Sequence, residues 1–430
     1  MTAYIGYQNL LEQSGATVTA SSEATGYDVE NAFDWLQFDA WKPSADGDAY
    51  IDVTLATAAN ADYFSIAWHT LGVNGARAQL FYDDAGTWTP AGATVSDPAG
   101  TASVLAPAGG RVAFAAFAAE TATDWRVMFY SKQNLFRYSE DASNSYWSKN
   151  GGTTIVPASI SLPQGFSSAF KIVEGVGGSI QGISRVYPLS VGWHTLTIRA
   201  KAAERSSIKV QANLPSVVTG IFDLSAGTAS GGDITDLGGG WYECSITFYE
   251  PDGVSRTLYP LYYTVSGDGS SGVYATGMQL EAAPSPGLYQ ATTDAAVTNN
   301  PIGQVGMLAL GQALALGDIR AGFEPPGLIE HGEAYTSQSE GGKFLGRSIR
   351  KTGEKVSVDQ TVIAASWPRT YLDGFAQHAL RKPYFFAWDP TNYPGESVIV
   401  IPPEDGGIRK PAYDSAGYMR WGFEGIGWRE

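Results

Sequence analysis

The stretch RKPYFFAWDPTNYP, residues 381–394, decides the fold of the C-terminal part of this chain. Tyr384, Phe385, Phe386 and Ala387 form an unbroken apolar run before Trp388, and Asp389-Pro390 follows at once. A run of this kind predicts a buried strand, and a proline cannot continue the hydrogen-bonded ladder of a sheet. We therefore expect a strand that ends in a turn, with four structural residues: Tyr384, Phe385, Phe386 and Trp388.

The composition predicts many short strands separated by turns. The 430 residues include 51 glycines and 22 prolines, a larger share than the usual roughly 12%. The 23 tyrosines, 18 phenylalanines and 12 tryptophans suit pleated sheet surfaces. At roughly 150 residues a domain, the length predicts two to four domains. We expect a mainly β, multi-domain protein of sandwiches or barrels.

The negative charge lies mainly in the first 302 residues. The formal net charge is −16, and residues 303–430 hold 13 basic and 15 acidic side chains, whereas residues 1–302 hold 14 basic and 28 acidic ones. Binding to a phosphate backbone needs clustered lysines and arginines. The charge distribution therefore argues against nucleic acid as a partner.

The cysteine content and the first residues of the chain indicate the cellular compartment in which the protein folds. Cys244 is the only cysteine, so no intrachain disulfide can form, which fits assembly in a reducing cytoplasm. The start, MTAYIGYQNLLEQSG, lacks the basic and apolar regions of a signal peptide. No stretch approaches the roughly 18 apolar residues of a membrane span, so we expect no span.

Residues 1–131 predict a first β-domain. YIDVTLATA (50–58) alternates apolar and polar residues, and strands are also expected in 61–72, 76–92 and 123–131. The order of short motifs resembles discoidin-type β-sandwiches, in which "A-S-S" and "A-x-D" lead to an aromatic residue, then to "I-x-V-D-L" and "W-R-V". The matching residues are Ala20, Ser21, Ser22, Ala32, Phe33, Asp34, Trp41, Ile51 to Leu55, Trp125, Arg126 and Val127. Phe33-Asp34-Trp35 replaces the "D-G-N" of that family.

Residues 132–300 resemble a carbohydrate-binding-like β-sandwich module of phages. Its opening, "N-L-x-x-x-S-x-D", and its ending, "Q-L-E", are matched by Asn134, Leu135, Ser139, Asp141, Trp147, Lys149, Gln279, Leu280, Glu281, Tyr289 and Thr292. The segment IGQVGMLALGQALAL (302–316) resembles the last strand of the phage discoidin-like domain. We therefore expect residues 132–300 to be inserted into a loop of a discontinuous domain, 1–131 and 301–316.

Residues 317–430 form the third expected domain. A helix is predicted near 366–380, capped by Ser366, with Pro368 in its first turn and an apolar face of Trp367, Tyr371, Phe375 and Leu380. The stretch SEGGKFLGRS (339–348), this helix and the aromatic run together resemble the C-terminal domain of minor tail and tail-tip proteins of long-tailed bacteriophages.

The sequence has few signs of catalysis. The four histidines, His69, His194, His331 and His378, belong to no HExxH motif, and neither G-x-S-x-G, a P-loop nor CxxC occurs. A pair of carboxylates for glycoside hydrolysis stays open, because 43 acidic residues supply many pairs. We expect a protein that is not an enzyme and needs no cofactor.

Calcium is a candidate structural ion. Asp46, Asp48 and Asp52 surround a tight turn, and hard cations favour clustered oxygen atoms, although a solvated acidic loop is the alternative. The resemblance of the inserted segment also implicates Asn134 and Glu281 in a calcium site.

Exposed aromatic rings that stack on sugars are the candidate glycan ligands. In the inserted segment these are Trp193, Tyr259, Tyr262 and Tyr263, with core positions as the alternative for each. Trp147 and Trp241 are expected in the core.

The resemblances imply a structural component of a phage tail tip or baseplate. Such a protein would form a trimeric or hexameric ring with tail-tube and hub proteins at the distal end of the virion tail, after assembly in the host cytoplasm. Its sandwich domains would project outward and contact host surface glycans. The alternative is a soluble carbohydrate-binding protein or an accessory module of a glycan-degrading enzyme.

Overall fold

The computed structural model describes residues 2–94, 97–177, 180–263, 266–317, 319, 322–326, 328–329, 331–415 and 417–430. The chain folds into two compact units. One, here called the first unit, combines Met1–Tyr130 with Pro301–Glu430, and the other, here called the inserted module, is Ser131–Asn300. In the described ranges, no helix has the length and apolar character to cross a membrane.

Strands dominate the whole chain, in agreement with the composition. Up to residue 130 the elements are β1 (Ala3–Gly6), β2 (Thr17–Ala20), β3 (Ala49–His69), α1 (Leu71–Asn74), β4 (Arg77–Asp84), β5 (Thr87–Pro90), β6 (Val104–Leu105) and β7 (Ala113–Tyr130). The inserted module contains β8 (Ser148–Asn150), β9 (Thr154–Pro157), β10 (Phe170–Val173), β11 (Val176–Gly177), β12 (Gln181–Pro188), β13 (Gly192–Ala202), β14 (Ser207–Ala212), β15 (Val218–Asp223), β16 (Thr228–Ser230), β17 (Asp233–Gly238), β18 (Trp241–Glu250), β19 (Ser255–Tyr263), β20 (Gly267–Asp268) and β21 (Gly272–Glu281). From residue 301 onward the elements are β22 (Val305–Gly311), β23 (Leu314–Leu316), β24 (Gly332–Gln338), β25 (Phe344–Lys351), β26 (Glu354–Ala364), α2 (Ser366–Ala379), β27 (Tyr384–Ala387), β28 (Ser397–Ile401), β29 (Ala412–Ser415) and β30 (Tyr418–Trp428).

The N-terminal sandwich, made of β2 to β7 and β22, is a bent sheet built on the long neighbours β3 and β7. The sequence pattern predicts two strands, 50–58 and 61–72, where the structure has the single strand β3. The β3–β7 pairing changes register after Thr54 and after Ala61, and such bulges bend a sheet. Both halves of β3 thereby line one core, with Val53 from the first half and Phe64 from the second.

The C-terminal sheet has the strand order β23-β1-β27-β28-β30-β26, with β29 beside β30. The aromatic run forms β27, which lies between β1 and β28 and ends at Ala387. Tyr384 and Phe386 pack into a core that α2 covers, while Phe385 packs with Tyr63 and Phe114 of the N-terminal sandwich. β27 is therefore buried on both faces and joins the two halves of this unit.

Two short strands lie outside the domain that the sequence pattern assigns to them. Residues 1–131 and 301–316 are expected to complete the discoidin-like sandwich, but β1 and β23 pair with each other in the C-terminal sheet. Within 302–316 only β22 joins the sandwich, where it pairs with β3. The partners of β1, β23 and β27, are more than 300 residues away in sequence, so no local pattern could reveal this pairing.

The helix α2 is present at the expected place but presents a different face. Ala365, not Ser366, is the N-cap residue, and no side chain caps this end. The buried residues are Pro368, Leu372, Phe375 and Ala379, whereas Tyr371 and Leu380 are exposed. Trp367 lies at the rim of the core, where its ring centroid is 5.5 Å from that of Trp421. The expected apolar face is thus correct only at Phe375 and partly at Trp367.

The inserted module is a β-sandwich of two six-stranded sheets. One sheet has the order β17-β18-β13-β21-β10-β9 and the other β16-β15-β14-β19-β12-β8. The core between them contains Phe136, Trp147 and Cys244, and Trp241 is also buried. Together with the C-terminal sheet, this gives the mainly β, multi-domain fold that the composition predicts.

Asn134 ties the beginning of the inserted module to its end. Its amide nitrogen donates to the carbonyl oxygens of Met278 and Gln290, both at 3.0 Å. Its amide oxygen accepts from the backbone N–H groups of Phe136 and Leu280, at 3.1 and 3.2 Å. All four hydrogen bonds of a buried amide are therefore made within the protein, which leaves no lone pair for the calcium ion that the resemblance implies.

Candidate functional site

Two of the predicted glycan ligands lie together on the outer face of the β19 sheet. Tyr259 pairs with Gln211 and Tyr262 pairs with Lys209, so the partner strand advances by two residues while β19 advances by three. This bulge brings Tyr259 and Tyr262 to the same side, with their ring centroids 5.5 Å apart. Strand alternation puts Lys209 and Gln211 on that side too, because Ile208 and Val210 point into the core.

This group of Tyr259, Tyr262, Lys209 and Gln211, here called the tyrosine cluster, combines an aromatic ring with several polar groups. The Tyr262 hydroxyl donates to Oε1 of Gln211 at 2.6 Å, and the Thr219 hydroxyl donates to the same oxygen at 3.0 Å. Tyr262 is only 5% exposed, so its ring offers no free face to a sugar. Tyr259 is half-buried and is the ring of this pair that a ligand could reach.

The other two predicted ligands do not belong to this cluster. Tyr263 is 3% exposed and points into the core, where its hydroxyl donates to the Ile172 carbonyl at 2.8 Å. Tyr263 thus takes the core position that was the alternative to its ligand role. Trp193 lies on β13 in the opposite sheet, with its ring centroid 5.4 Å from that of the exposed Tyr249. The four residues thus form no single site.

The three aspartates proposed for calcium do not form a metal cage. Asp46 and Asp48 are exposed in the loop before β3, while the Asp52 carboxylate accepts two hydrogen bonds from Arg126, at 2.6 and 2.7 Å. The Arg126 guanidinium also lies over the rings of Tyr50 and Trp88, at 4.1 and 4.5 Å. In the part of the chain that the structure describes, no group of three or more His, Cys, Asp or Glu residues could hold a metal ion.

Three histidines act as structural hydrogen-bond donors. Burial lowers the pKa of His69, His194 and His378 in each case, and that of His69 falls to about 4. Each ring donates to one backbone carbonyl oxygen, that of Arg111, Gly192 and Pro383 respectively, at 2.8, 3.0 and 2.7 Å. Nε2 of His194 also lies 3.4 Å from the Ser190 hydroxyl. The other ring nitrogen, Nδ1, contacts the Gly192 carbonyl oxygen, whereas a Ser-His-Asp triad would have a carboxylate there.

The aromatic run contains three fully buried side chains and one partly exposed side chain. Tyr384, Phe385 and Phe386 have no exposed surface. Trp388, which we expect to be buried, lies beyond the end of β27 at the edge of the core, with its ring centroid 4.8 Å from that of Phe323. Tyr384, Phe385 and Phe386 therefore pack the C-terminal sheet against α2 on one face and the N-terminal sandwich on the other. Trp388 packs at the edge of the core.

The sequence reasoning missed an exposed hairpin, residues 332–351, here called the arm. Its strands β24 and β25 pair only with each other among the described residues. The segment 339–363 predicts a Gly-punctuated strand followed by an alternating one, and these correspond to β25 and β26. The available signal was the Ser339-Glu340-Gly341-Gly342 turn between two stretches without a regular apolar pattern.

One cleft of about 470 Å³ lies between the N-terminal sandwich and the turn after β27. Alanines and prolines from 102–116 and 390–394 make up half of its lining residues, and Asp97 and Arg111 are its charged side chains. A ligand site usually combines an apolar wall with several convergent polar groups. This cleft therefore supports no particular ligand.

Comparison with known proteins gives only local likenesses. No protein-family model matches the sequence, and no curated protein matches it. Among solved structures, a GH29 fucosidase of Ruminococcus gnavus in complex with fucose is 19% identical over 29% of this chain and 24% of that chain, with a TM-score of 0.23. This chain therefore spans about a quarter of the fucosidase.

Two isolated modules have similar scores. Chitosan-binding module 1 of a chitosanase/glucanase from Paenibacillus sp. IK-5 is 22% identical over 29% of this chain and 87% of that chain, with a TM-score of 0.23. The Clostridium perfringens module CpGH89CBM32-6 is 15% identical over 29% of this chain and 90% of that chain, with a TM-score of 0.23.

Proposed function

We propose that this protein is a non-catalytic structural component of the tail tip of a long-tailed bacteriophage, which self-assembles through its C-terminal part and carries β-sandwich domains for surface contact. One observation carries the proposal. Two of the three stretches that resemble tail proteins, α2 and β27, pack in one core, where the ring centroids of Phe375 and Tyr384 are 4.9 Å apart, and the third, 339–348, forms the tip and second strand of the arm. The resemblance therefore includes a packed helix and strand rather than scattered motifs alone.

The exposed apolar side chains support an assembly role for this region. Of the 30 large apolar residues that are exposed in the described part of the chain, 14 lie between Leu328 and Ile426. This segment is about a quarter of the chain, so its surface is enriched in apolar groups. Exposed apolar surface of this kind supports a role in protein–protein contact.

The test of this proposal is the location of the protein in virus particles. Mass spectrometry of purified particles should detect the chain, and gold-labelled antibodies against it should bind one end of the tail. A ring component should also have a native mass of three or six protomers. Absence from purified particles, together with a monomeric native mass, would contradict the proposal.

Carbohydrate binding by the inserted module is the second candidate, and the tyrosine cluster favours it. The Tyr259 ring stands beside Lys209 and Gln211 on an open sheet face, and sugar sites combine an aromatic ring with polar donors and acceptors. This function is compatible with a tail protein and with the rival, a soluble carbohydrate-binding protein.

A glycan array tests this second candidate. The Tyr259→Ala variant of the full chain should bind its best glycan at least 10-fold more weakly than the wild type. The matched control is Tyr413→Ala, which removes an exposed tyrosine of the C-terminal sheet and should leave binding unchanged. If the wild type binds no glycan, or if both variants bind equally, the tyrosine cluster is not a sugar site.

A further inference from the structure

The arm is exposed along almost its whole length. Every residue from Gly332 to Lys351 is exposed except Ser339 and Gly346, which are half-buried. The exposed side chains include four large apolar ones, namely Tyr335, Phe344, Leu345 and Ile349. A surface of this kind on an isolated hairpin needs an explanation, because exposed apolar strands promote association.

A two-stranded hairpin is marginally stable in water when it stands alone. No described strand outside the arm pairs with β24 or β25, so each strand has an outer edge of backbone N–H and C=O groups without a ladder partner. Such edges are templates on which a second chain can add. Contact with another molecule would therefore stabilise the arm.

We propose that the arm docks onto a second copy of this chain and links neighbouring protomers. The charges favour this partner. Residues 332–351 hold four basic and two acidic side chains, whereas residues 1–130 hold 4 basic and 15 acidic ones. Within each chain Lys351 pairs with Glu430. Lys343, Arg347 and Arg350 are therefore the cations that would meet the excess of carboxylates in residues 1–130 of a second protomer, which is present at equal concentration.

The size of the arm also fits this role. A stable interface takes about 20 to 30 residues from each partner, and the arm supplies 20 of them. A contact between the arm of one copy and a different surface of the next is heterologous, and contacts of that type close into rings when the rotation is suitable. Contacts through the arm could therefore form a ring, and no surface would have to pair with an identical surface of the next copy.

An apolar surface at the base of the arm would extend the contact. Gln37, Ile329, His331 and Lys351 line one small cavity, so the loop around Gln37 lies beside the arm. Phe38 in this loop is 85% exposed, and Leu328 and Ile329 are exposed as well. These three exposed apolar side chains therefore lie at the base of the arm or next to residues that line it. The inference deepens the proposed function and rests on its self-assembly, but not on the phage assignment.

The first experiment measures the native mass of the full chain by light scattering over a range of concentrations. The wild type should form oligomers. Replacement of residues 332–351 by a short glycine linker should give a monomer, because Thr352 already donates to the His331 carbonyl at 3.1 Å and the gap is small. The wild-type melting temperature should persist in this variant, since the arm covers no core.

Point variants separate the arm from general surface effects. Ile349→Ser and the pair Arg347→Glu with Arg350→Glu should each raise the dissociation constant at least 10-fold. Val176→Ser is the control, because Val176 is an 84% exposed strand residue of the inserted module and lies outside both the arm and residues 1–130. Oligomers that survive deletion of the arm would overturn the inference and leave the proposed function intact. A wild type that stays monomeric would overturn the inference, and particle analysis would then decide the function separately.

Cross-linking identifies the partner directly. Cys244 is buried, and burial raises the pKa of its thiol, so a single Gly341→Cys substitution at the tip of the arm supplies the only reactive thiol in the chain. A photoreactive maleimide at this position should give cross-linked dimers and a cross-linked peptide from residues 1–130. Cross-links only within one chain would overturn the inference.

Discussion

Trp35 shows how one residue can couple two parts of a unit. Its backbone has a φ of 65°, in the left-handed region that tryptophan rarely adopts, yet its side chain is buried. The indole ring lies 5.1 Å from the His378 ring and 6.0 Å from the Phe385 ring, measured between centroids. The departure from the discoidin pattern at Phe33-Asp34-Trp35 therefore places a large ring against the C-terminal sheet.

His69 gives a prediction about acid stability. Nε2 donates to the Arg111 carbonyl, and Nδ1 accepts from the Leu71 N–H at 3.2 Å, which only a neutral ring can do. Burial lowers its pKa from 6.5 to about 4, so between these values the unfolded chain binds a proton that the folded chain does not. The stabilising contribution of His69 is complete above about pH 6.5 and is lost as the pH falls towards 4.

Urea denaturation of the wild type and of His69→Gln at pH 7 and pH 4.5 checks this prediction. The free energy of unfolding of the wild type should fall by about 2 to 3 kcal/mol more than that of the variant between the two pH values. Groups that titrate in both proteins cancel in this comparison. Equal losses would mean that the His69 ring takes up its proton as easily in the folded protein as in the unfolded chain.

At the scale of the element, β27 predicts an order of stability effects. Phe386→Ala should destabilise the first unit by about 3 to 5 kcal/mol, because it leaves a cavity in a closed core. Trp388→Ala should destabilise it less, by about 1 to 3 kcal/mol, since part of this ring already meets water. Unfolding free energies of the two variants from denaturant titration give the comparison. A larger loss for Trp388→Ala would contradict the position of its ring at the margin of the core.

The elements themselves could be predicted well, and their faces and partners less well. Alternation of apolar residues predicts the first half of β3, and the aromatic run predicts β27, because these signals are local. The face of α2 depends on which side the sheet covers: Leu372 points into the core while Tyr371, one residue away, stays exposed. The position of Tyr259 beside Tyr262 depends on a bulge, for which the sequence carries no regular signal.

At the scale of the whole molecule, the closed ends of the inserted module predict that it can be removed. The Asn300 side chain donates to the Lys132 carbonyl, and Asn134 and Val297 exchange backbone hydrogen bonds at 2.8 and 2.9 Å. The chain thus enters and leaves the module at neighbouring points. Joining Ser131 to Pro301 should leave a folded first unit, because the cores of the two units are separate clusters.

Circular dichroism and thermal melting of this deletion variant, and of the isolated segment 131–300, check the prediction. Both products should be soluble and should unfold cooperatively. If both are insoluble, the boundary at Ser131 and Asn300 does not separate independent folding units. The sequence motifs predict the beginning and the end of the module, but the pairing of β1 with β27 spans the whole chain and required the structure.

The arm also has a consequence for the fate of chains that find no partner. Lys343, Arg347 and Arg350 are exposed on a two-stranded segment, so trypsin-like proteases can cut there with little unfolding. Docking would cover these peptide bonds. An orphan protomer would then be clipped and lose its ability to join, while an assembled one would survive. Proteolysis would thus remove surplus copies and leave the finished assembly, so the segment that enables association would also limit the lifetime of the unassembled chain.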